Sequence, residues 1–425
     1  MGEHLRQLHA VPDPLGLYIR PGHNGHLSLA HLLGEGDHPI RGAVLGASHD
    51  EFQANLRRDL RSKKHEIVLD SQAMELATAG GFERTNLQRL QWAGNRVHRP
   101  EDLIGGGGLE VAAAVAKHVV EKGYTAVLSP THFLTGPRDP WFEVDVRQVV
   151  RLRRYLDANG AGDVLIYYLL AIHSDAFRDA GSRAEILGDL AGLDIDGLWL
   201  RVHPFGTNAG SVSLRRYIEA CQDLHRLRIP IVADRVGSAG MPLLAFGAVG
   251  GITTSMSVGE TFNAKSLARP PGPNSRPNMA PRVYVEAIGA YLSVDQARAF
   301  FARKHRTQAK FGCRDKRCCR HGASDMLGDP RRHHFLARTR EVARLSAPPP
   351  TARATIYMDR FLRPASDKVI RAAQVDGRLM KHRRRLEGWR QVLGALEEHG
   401  VRSHARVPKG RRVRRRRLRA RSDDR

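Results

Sequence analysis

The sequence predicts an α/β fold. A (β/α)8 barrel occupies residues 1–300, a Cys/His zinc-binding segment 301–346, a basic helical C-terminal extension 347–400 and an arginine-rich tail 401–425. Three observations carry this reading. Short, nearly continuous apolar runs alternate with helical patterns of about ten to sixteen residues, as expected for parallel strands buried on both faces. Seven or eight such units over roughly 230 residues suit a closed TIM-type barrel better than an open sheet. Three of the four cysteines then fall together, just after that region.

In chain order, the expected strands are 40–46, 66–70, 126–129, 164–170, 197–202, 230–233 and 251–255. Helical patterns lie between them at 107–122, 144–158, 183–190 and 214–227. The glycine run 105–108 follows no apolar strand, so it reads as a flexible loop, with phosphate cradling as the lesser option. Residues 268–282 (ARPPGPNSRPNMAPR) form a Pro/Gly-rich loop, and loops of that length are often functional. Residues 283–312 read as helical. Three prolines within 347–352 mark a boundary, and 366–398 is again basic and helical.

The chain has 425 residues, 41% of them hydrophobic, enough for a substantial core. Its formal net charge is +24 and its pI about 10.7. The charge is uneven: 301–345 carries a net +9 and 401–425 a net +10, leaving the first 300 residues near neutral. So basic a C-terminal third points to a polyanionic partner, most simply nucleic acid. The tail after Val407 cannot bury a core and is expected to order only on a polyanion. Clustered cysteines do not read as a disulfide framework. Cys221 stands alone and reads as a core residue. The N-terminus has no apolar leader segment, and no stretch approaches the length of a membrane span. A reducing cytoplasm is the expected compartment. A homodimer is compatible with the sequence but not specified by it.

In a barrel of this type the chemistry sits at the C-terminal ends of the strands. The sequence places several polar groups there. Asp70 ends EIVLD and is followed by Ser71, with Glu75 nearby; a carboxylate here can serve as base or nucleophile, or simply cap a turn. His132, in SPTHF, can touch substrate, or only bond locally. Arg201 and His203, in RVHPFG, can hold an anion and move a proton; alternatively Arg201 pairs with a barrel carboxylate. Asp234 and Arg235 end IPIVAD and suit a nucleophile or phosphate site as well as an internal salt bridge. Glu260, in MSVGETF, follows the last strand. Two carboxylates facing each other across a barrel mouth suit displacement at a sugar carbon. The sequence does not say which of Asp70, Asp234 and Glu260 face one another.

Cys313, Cys318 and Cys319 lie in FGCRDKRCCRHG, with His321, His333 and His334 downstream. Thiolate and imidazole together suit a closed tetrahedral Zn2+ site; the alternative is reduced cysteines beside a basic nucleic-acid patch. His321 follows Cys319 too closely for an easy tetrahedron. His334 is the expected fourth ligand, because a histidine some fifteen residues on can return on a helix.

Over roughly residues 60–345, the order of these pieces resembles the tRNA-guanine transglycosylase superfamily, whose DNA-modifying relatives also exist. LDSQAME around Asp70 resembles the family's strand-end Asp-Ser segment, whose Asp engages the base. GYTAVLSPTH, the long helix after it and the DIDGLWL strand follow the family's rhythm, as does ADRVGSAGMPLLAFGAVGGITTSMS. The resemblance implies a zinc-containing barrel that exchanges guanine for a 7-deazaguanine-type base in tRNA or DNA. Departures are plain. The family's nucleophilic Asp lies on the last strand, where this chain has Ile252, Thr253, Thr254 and Ser255. The base-reading Gln falls near Leu170, the glycine pair near Arg201 and Val202, and the cysteines are respaced. If the reaction is retained, Asp234 or Glu260 must supply the nucleophile. Two other readings stay open: a barrel without catalysis that serves as a nucleic-acid-binding module of a modification system, and an unrelated enzyme whose Arg201 and Arg235 hold a small anion.

Overall fold

The computed structural model describes residues 15–22, 24–256, 260–270, 281–303 and 305–398. The middle of the Pro/Gly-rich loop and the arginine-rich tail lie outside the described residues, as does the start of the N-terminal segment.

Eight parallel strands close into a barrel. They are β1 (Gly16–Arg20), β2 (Gly42–Gly46), β3 (Glu66–Asp70), β4 (Ala126–Leu128), β5 (Leu165–His173), β6 (Gly197–His203), β7 (Ile231–Ala233) and β8 (Gly251–Ser255). Each pairs with the next, and β8 returns to β1, so no edge is left open. Seven of these were expected from the sequence. The eighth, β1, is the short run GLYIR, with prolines close on either side in the sequence.

Helices α1 (His26–Glu35), α2 (Ala54–Ser62), α3 (Gly106–Lys122), α4 (Pro140–Ala158), α5 (Ala180–Leu190), α6 (Ser211–Leu224) and α7 (Gly240–Ala245) fill the crossovers. Side-chain caps start α4 and α5, the latter through Asp179 accepting from the Ser182 amide. Asp139 caps α4 by accepting from the Trp141 amide, and Pro140 takes the first turn, where no amide hydrogen is needed. The glycine run is not a loop. Gly106, Gly107 and Gly108 open α3, and a side chain at Gly108 would overlap the Leu103 carbonyl and the Arg151 guanidinium. Glycine is there so that α3 can approach α4 closely.

Residues 283–312 are not all helical. A hairpin, β9 (Arg282–Val285) and β10 (Ala290–Ser293), comes first, turning at Gly289 with φ of 62°. The β-branched and aromatic run Val283, Tyr284 and Val285 suits a strand better than a helix. Helices α8 (Val294–Ala302), α9 (His305–Phe311), α10 (Ala323–Gly328) and α11 (Pro330–Ser346) follow. α11 lies against α1, where Arg332 reaches Glu35 at 3.2 Å and Phe335 meets the His38 ring at 5.0 Å. It thus fills the eighth helical position. The basic extension ends in α12 (Arg363–Val375) and α13 (Met380–Glu398). One buried apolar cluster runs from Leu15 through the barrel layer to Leu396, joining the extension to the barrel. Among the described residues, no helix is long and apolar enough to cross a membrane.

Because side chains alternate along a strand, every second residue points into the barrel. At the lower end, Tyr18 and Tyr167 each donate to Glu66 Oε2 at 2.8 Å, and Arg41 Nε donates to Oε1 at 2.6 Å. Trp199 fills the middle, 4.9 Å from the Tyr18 ring and 5.6 Å from the Tyr167 ring. One step up each strand, the next inward residues reach the mouth.

Candidate functional site

Those mouth residues are Arg20 on β1, Asp70 on β3, Arg201 on β6 and Asp234 just past β7. They form a closed ring of ion pairs. Arg20 Nη1 donates to Asp70 Oδ2 at 2.8 Å. Its Nε and Nη2 grip Asp234 Oδ1 and Oδ2 at 2.8 and 2.9 Å. Arg201 Nη2 donates to Asp70 Oδ2 and its Nε to Asp234 Oδ2, both at 2.8 Å. Thr253 Oγ1 on β8 adds a 2.6 Å bond to Asp234 Oδ1, and the Gln72 amide a 3.2 Å bond to Asp70 Oδ1. The sequence reading missed Arg20 and Thr253. The only signal for Arg20 was an apolar run ending in a polar residue, the same pattern that flagged Asp70 and Arg201.

The ring is almost dry, with Asp234 and Arg201 side chains 0% and 1% exposed. Burial alone would push both carboxyls up. The guanidiniums outweigh it: Arg201 then Arg20 hold Asp70 well below the usual carboxylate range, and Arg20 then Arg201 do the same for Asp234. Arg235, next to Asp234, has a lowered pKa of about 10 through burial and the neighbouring Arg201 and Arg20. Its Nε is buried without a partner among the described residues. Glu75 lies close by; burial and then Asp70 push its carboxyl up, toward the neutral form. Three guanidiniums therefore gather around two carboxyls held low and a third, Glu75, pushed up. Ser71 is buried directly after Asp70.

Aromatic rings lie beside this charged floor. The Phe262 ring lies 5.8 Å from the Arg201 guanidinium carbon, and Phe133 stands 5.8 Å from the His203 ring and 6.1 Å from Phe262. His203 is thus at the mouth, its Nδ1 accepting from the Ala264 amide at 3.1 Å, and burial lowers its pKa.

Two candidates do not join the ring. His132 turns outward to the helix layer. Its Nδ1 meets Asp145 Oδ1 of α4 at 2.7 Å, and its ring stacks on Trp141 at 3.7 Å. Glu260 accepts from Thr254 Oγ1 at 3.0 Å and from the Ser255 amide at 2.5 Å. Thr254 alternates with the inward Thr253, so this carboxyl lies behind β8, and burial pushes it up.

The metal group is Cys313, Cys318, Cys319 and His333, whose ligand atoms all lie within 4.8 Å of one another. A tetrahedral ion with bonds of about 2.3 Å to sulfur and about 2.0 Å to nitrogen sets edges near ~3.8 and ~3.5 Å. The Cys318–Cys319 sulfurs are 3.7 Å apart, and each is 3.3 Å from His333 Nδ1. His333 Nε2 donates to the Tyr284 carbonyl at 2.8 Å, which leaves the Nδ1 lone pair for a metal. The group can hold a metal ion. This corrects the expected fourth ligand from His334 to His333. Adjacent helical residues project about 100° apart, so only one of the pair can face the cysteines. His334 turns instead to Tyr291 OH at 3.2 Å, and its pKa is lowered to about 3 by burial and Arg338.

No family model and no curated protein matches this sequence. Solved structures match at the level of shape. Orotidine 5'-monophosphate decarboxylase from Methanocaldococcus jannaschii is 10% identical, covering 60% of this chain and 95% of its own, with a TM-score of 0.35. Xylanase B from Clostridium stercorarium is 12% identical, covering 57% and 86%, with a TM-score of 0.35. The carboxyl transferase domain of Rhizobium etli pyruvate carboxylase is 10% identical, covering 86% of this chain and 55% of its own, at 0.36. At these values the likenesses carry no argument about chemistry, and the barrel rests on its own strand pairing.

Proposed function

We propose that this chain is a base-exchanging transglycosylase on nucleic acid, replacing guanine in DNA or tRNA by a 7-deazaguanine-type base, as its sequence resemblance implies. The observation that carries the reading is the pair of ionised carboxylates, Asp70 and Asp234, brought from β3 and β7 to one pair of guanidiniums at the barrel mouth. Displacement at a sugar C1′ needs a carboxylate to bond to, or stabilise, an oxocarbenium-like carbon, and a second group to manage the base. Asp234 takes the first role: its oxygen bonds to C1′ as the C–N bond breaks, and the incoming base later displaces it. Asp70 contacts the base. Arg235, with an unpartnered nitrogen, neutralises the charge that the departing base or a neighbouring phosphate brings. Phe133, Phe262 and His203 give a flat base apolar faces to rest on. The ion in the Cys3His group is zinc with a structural role, and a reducing cytoplasm keeps its thiols available.

The test uses the purified full-length protein with its metal. DNA and tRNA are incubated separately with isotopically labelled guanine or a 7-deazaguanine base, and the nucleosides are read by mass spectrometry. Label appearing in one polymer, and vanishing with Asp234→Asn, supports the reading and names the substrate. No label in either polymer overturns it.

One observation favours a second reading, a nucleic-acid-binding module without catalysis. All four oxygens of Asp70 and Asp234 already accept hydrogen bonds, so the carboxylates also suit a purely structural ring. It predicts salt-sensitive binding that depends on residues 401–425 and no base exchange.

A further inference from the structure

A groove of about 590 Å³ opens between the barrel rim and the C-terminal extension. One wall is the stretch from Thr207 to Ser211, directly past β6 and its mouth residues. The other is α13 with the edge of the β9–β10 hairpin. Arg282, Lys381 and Arg384 line it and are exposed, and among the described residues no carboxylate pairs with any of them. The acid in the lining, Asp376, is already gripped by Arg378 at 2.6 Å.

Arg385 supplies a second, independent observation. Its guanidinium is half-buried, and its partners are neutral: Asn208 Oδ1 at 3.0 Å, His382 Nδ1, and the Trp389 ring 5.9 Å away. Its Nε is buried with no partner among the described residues. His382 stays neutral beside it, because burial and Arg385 hold that imidazole down at a pKa of about 4 while its Nε2 donates to the Ile288 carbonyl. A partly desolvated cation without a counter-charge is costly, and an incoming anion relieves that cost.

We propose that this groove binds the phosphodiester backbone of the nucleic acid beside the barrel mouth, with Arg282, Lys381 and Arg384 on successive phosphates and Arg385 on one drawn deeper. The inference rests on the nucleic-acid reading above and adds the surface that holds the polymer. A closed, apolar small-molecule pocket is a poor description, because the cations stand at an open rim built for tracking a strand.

The experiment measures Kd for DNA and for tRNA across a series of salt concentrations, using the full-length metal-loaded protein. The groove variant combines Arg282→Ser, Lys381→Ser and Arg384→Ser, all exposed, so folding is spared. A control variant removes three cations that precede β3, β4 and β7 at the opposite end of the barrel: Lys64→Asn, Lys122→Ser and Arg226→Ser. Each phosphate left without its cation lowers the slope of log affinity against log salt by about 0.7 for single strands and about 0.9 for duplex. The groove variant is expected to fall by about two to three units of slope, and at least about tenfold in affinity near 0.1 M salt, relative to the control variant. Equal slopes and affinities for the two variants overturn the proposal. Binding that depends on the groove, without any base exchange, leaves the groove standing and removes only the transglycosylase reading.

Discussion

Asp234→Asn is the sharpest perturbation of the mouth, because it removes one charge and almost no volume. The carboxylate accepts four hydrogen bonds, two at each oxygen, three of them from guanidiniums. Whichever way the new amide is turned, its NH2 faces two donors: Arg20 Nε with Thr253 Oγ1, or Arg20 Nη2 with Arg201 Nε. At least one charge-assisted bond is broken outright, worth about 1.5–3 kcal/mol. Two buried guanidiniums are then left with Asp70 alone, the situation in which breaking a buried pair costs about 3–5 kcal/mol. With the Asp234 side chain 0% exposed, no water makes up the difference, so the higher range applies. The assay is denaturant unfolding at pH 7 and at steps down to pH 3. The sign of the pH effect follows from the direction of the shifts. Asp70 and Asp234 are depressed in the folded state, so their stabilisation is fully present above the unfolded carboxyl value of about 3.9 and is lost as pH falls below it. Each such group contributes up to about 1.4 kcal/mol per pH unit there, so the variant's profile is shallower by about that amount. A variant within about 1 kcal/mol of the parent at pH 7, with a parallel acid profile, would falsify the ionised ring.

Three further outcomes follow from the same geometry. His333→Ala lowers the metal bound per chain measured by mass spectrometry of the elements, whereas His334→Ala retains it; equal depletion in both returns His334 to the ligand set. Gly108→Ala drives a methyl into the Leu103 carbonyl and Arg151, and is expected to cost about 1–3 kcal/mol of stability by overpacking, so an unchanged unfolding midpoint removes the close-approach argument. Tyr167→Phe deletes one of two phenol donors to the buried Glu66 carboxyl and is expected to cost about 1–2 kcal/mol in the same measurement, with no change expected in binding at the mouth.

The barrel was legible because its strands are buried on both faces. Runs such as IVL, LIYYLL and LWL are wholly apolar, as parallel strands covered by helices require. β1 escaped because GLYIR sits between Pro14 and Pro21 and reads as part of a turn-rich stretch. The hairpin at 282–293 leaves no clear strand signal because four-residue strands carry little period, and their reason for existing is tertiary: Tyr284 donates to Glu341 of α11 at 2.7 Å and offers its carbonyl to His333. The three cysteines were found by density alone. Which histidine completes the set depends on the rotation of α11, and that rotation is fixed by Phe335 against His38 and by Glu341 accepting from Tyr284 of β9, packing that leaves no local mark in the sequence.

The mouth divides in the same way. Asp70, Arg201 and Asp234 were visible as polar ends of apolar runs, but their pairing spans separations of 131 and 33 residues. His132 and Glu260 sit beyond strand ends, where alternation no longer dictates direction, and both turn away from the mouth to Asp145 and Thr254. What no local pattern contained is the charge balance. Once Arg20 is added, two guanidiniums meet two carboxylates and the ring is neutral by itself, so Arg235 stands outside it, near Glu75, rather than as one half of an Asp–Arg pair. That reassigns the roles. Arg201 and Arg20 hold the carboxylates ionised, and Arg235 is the group with a free nitrogen for an anion. An anion arriving at the Arg235 guanidinium competes for no side-chain bond among the described residues, whereas any ligand that engages Asp234 must first displace Arg20, Arg201 or Thr253. Binding and chemistry at this mouth are therefore separable by substitution: Arg235→Met is expected to weaken capture of an anionic group while leaving the ring intact, and Asp234→Asn to do the reverse.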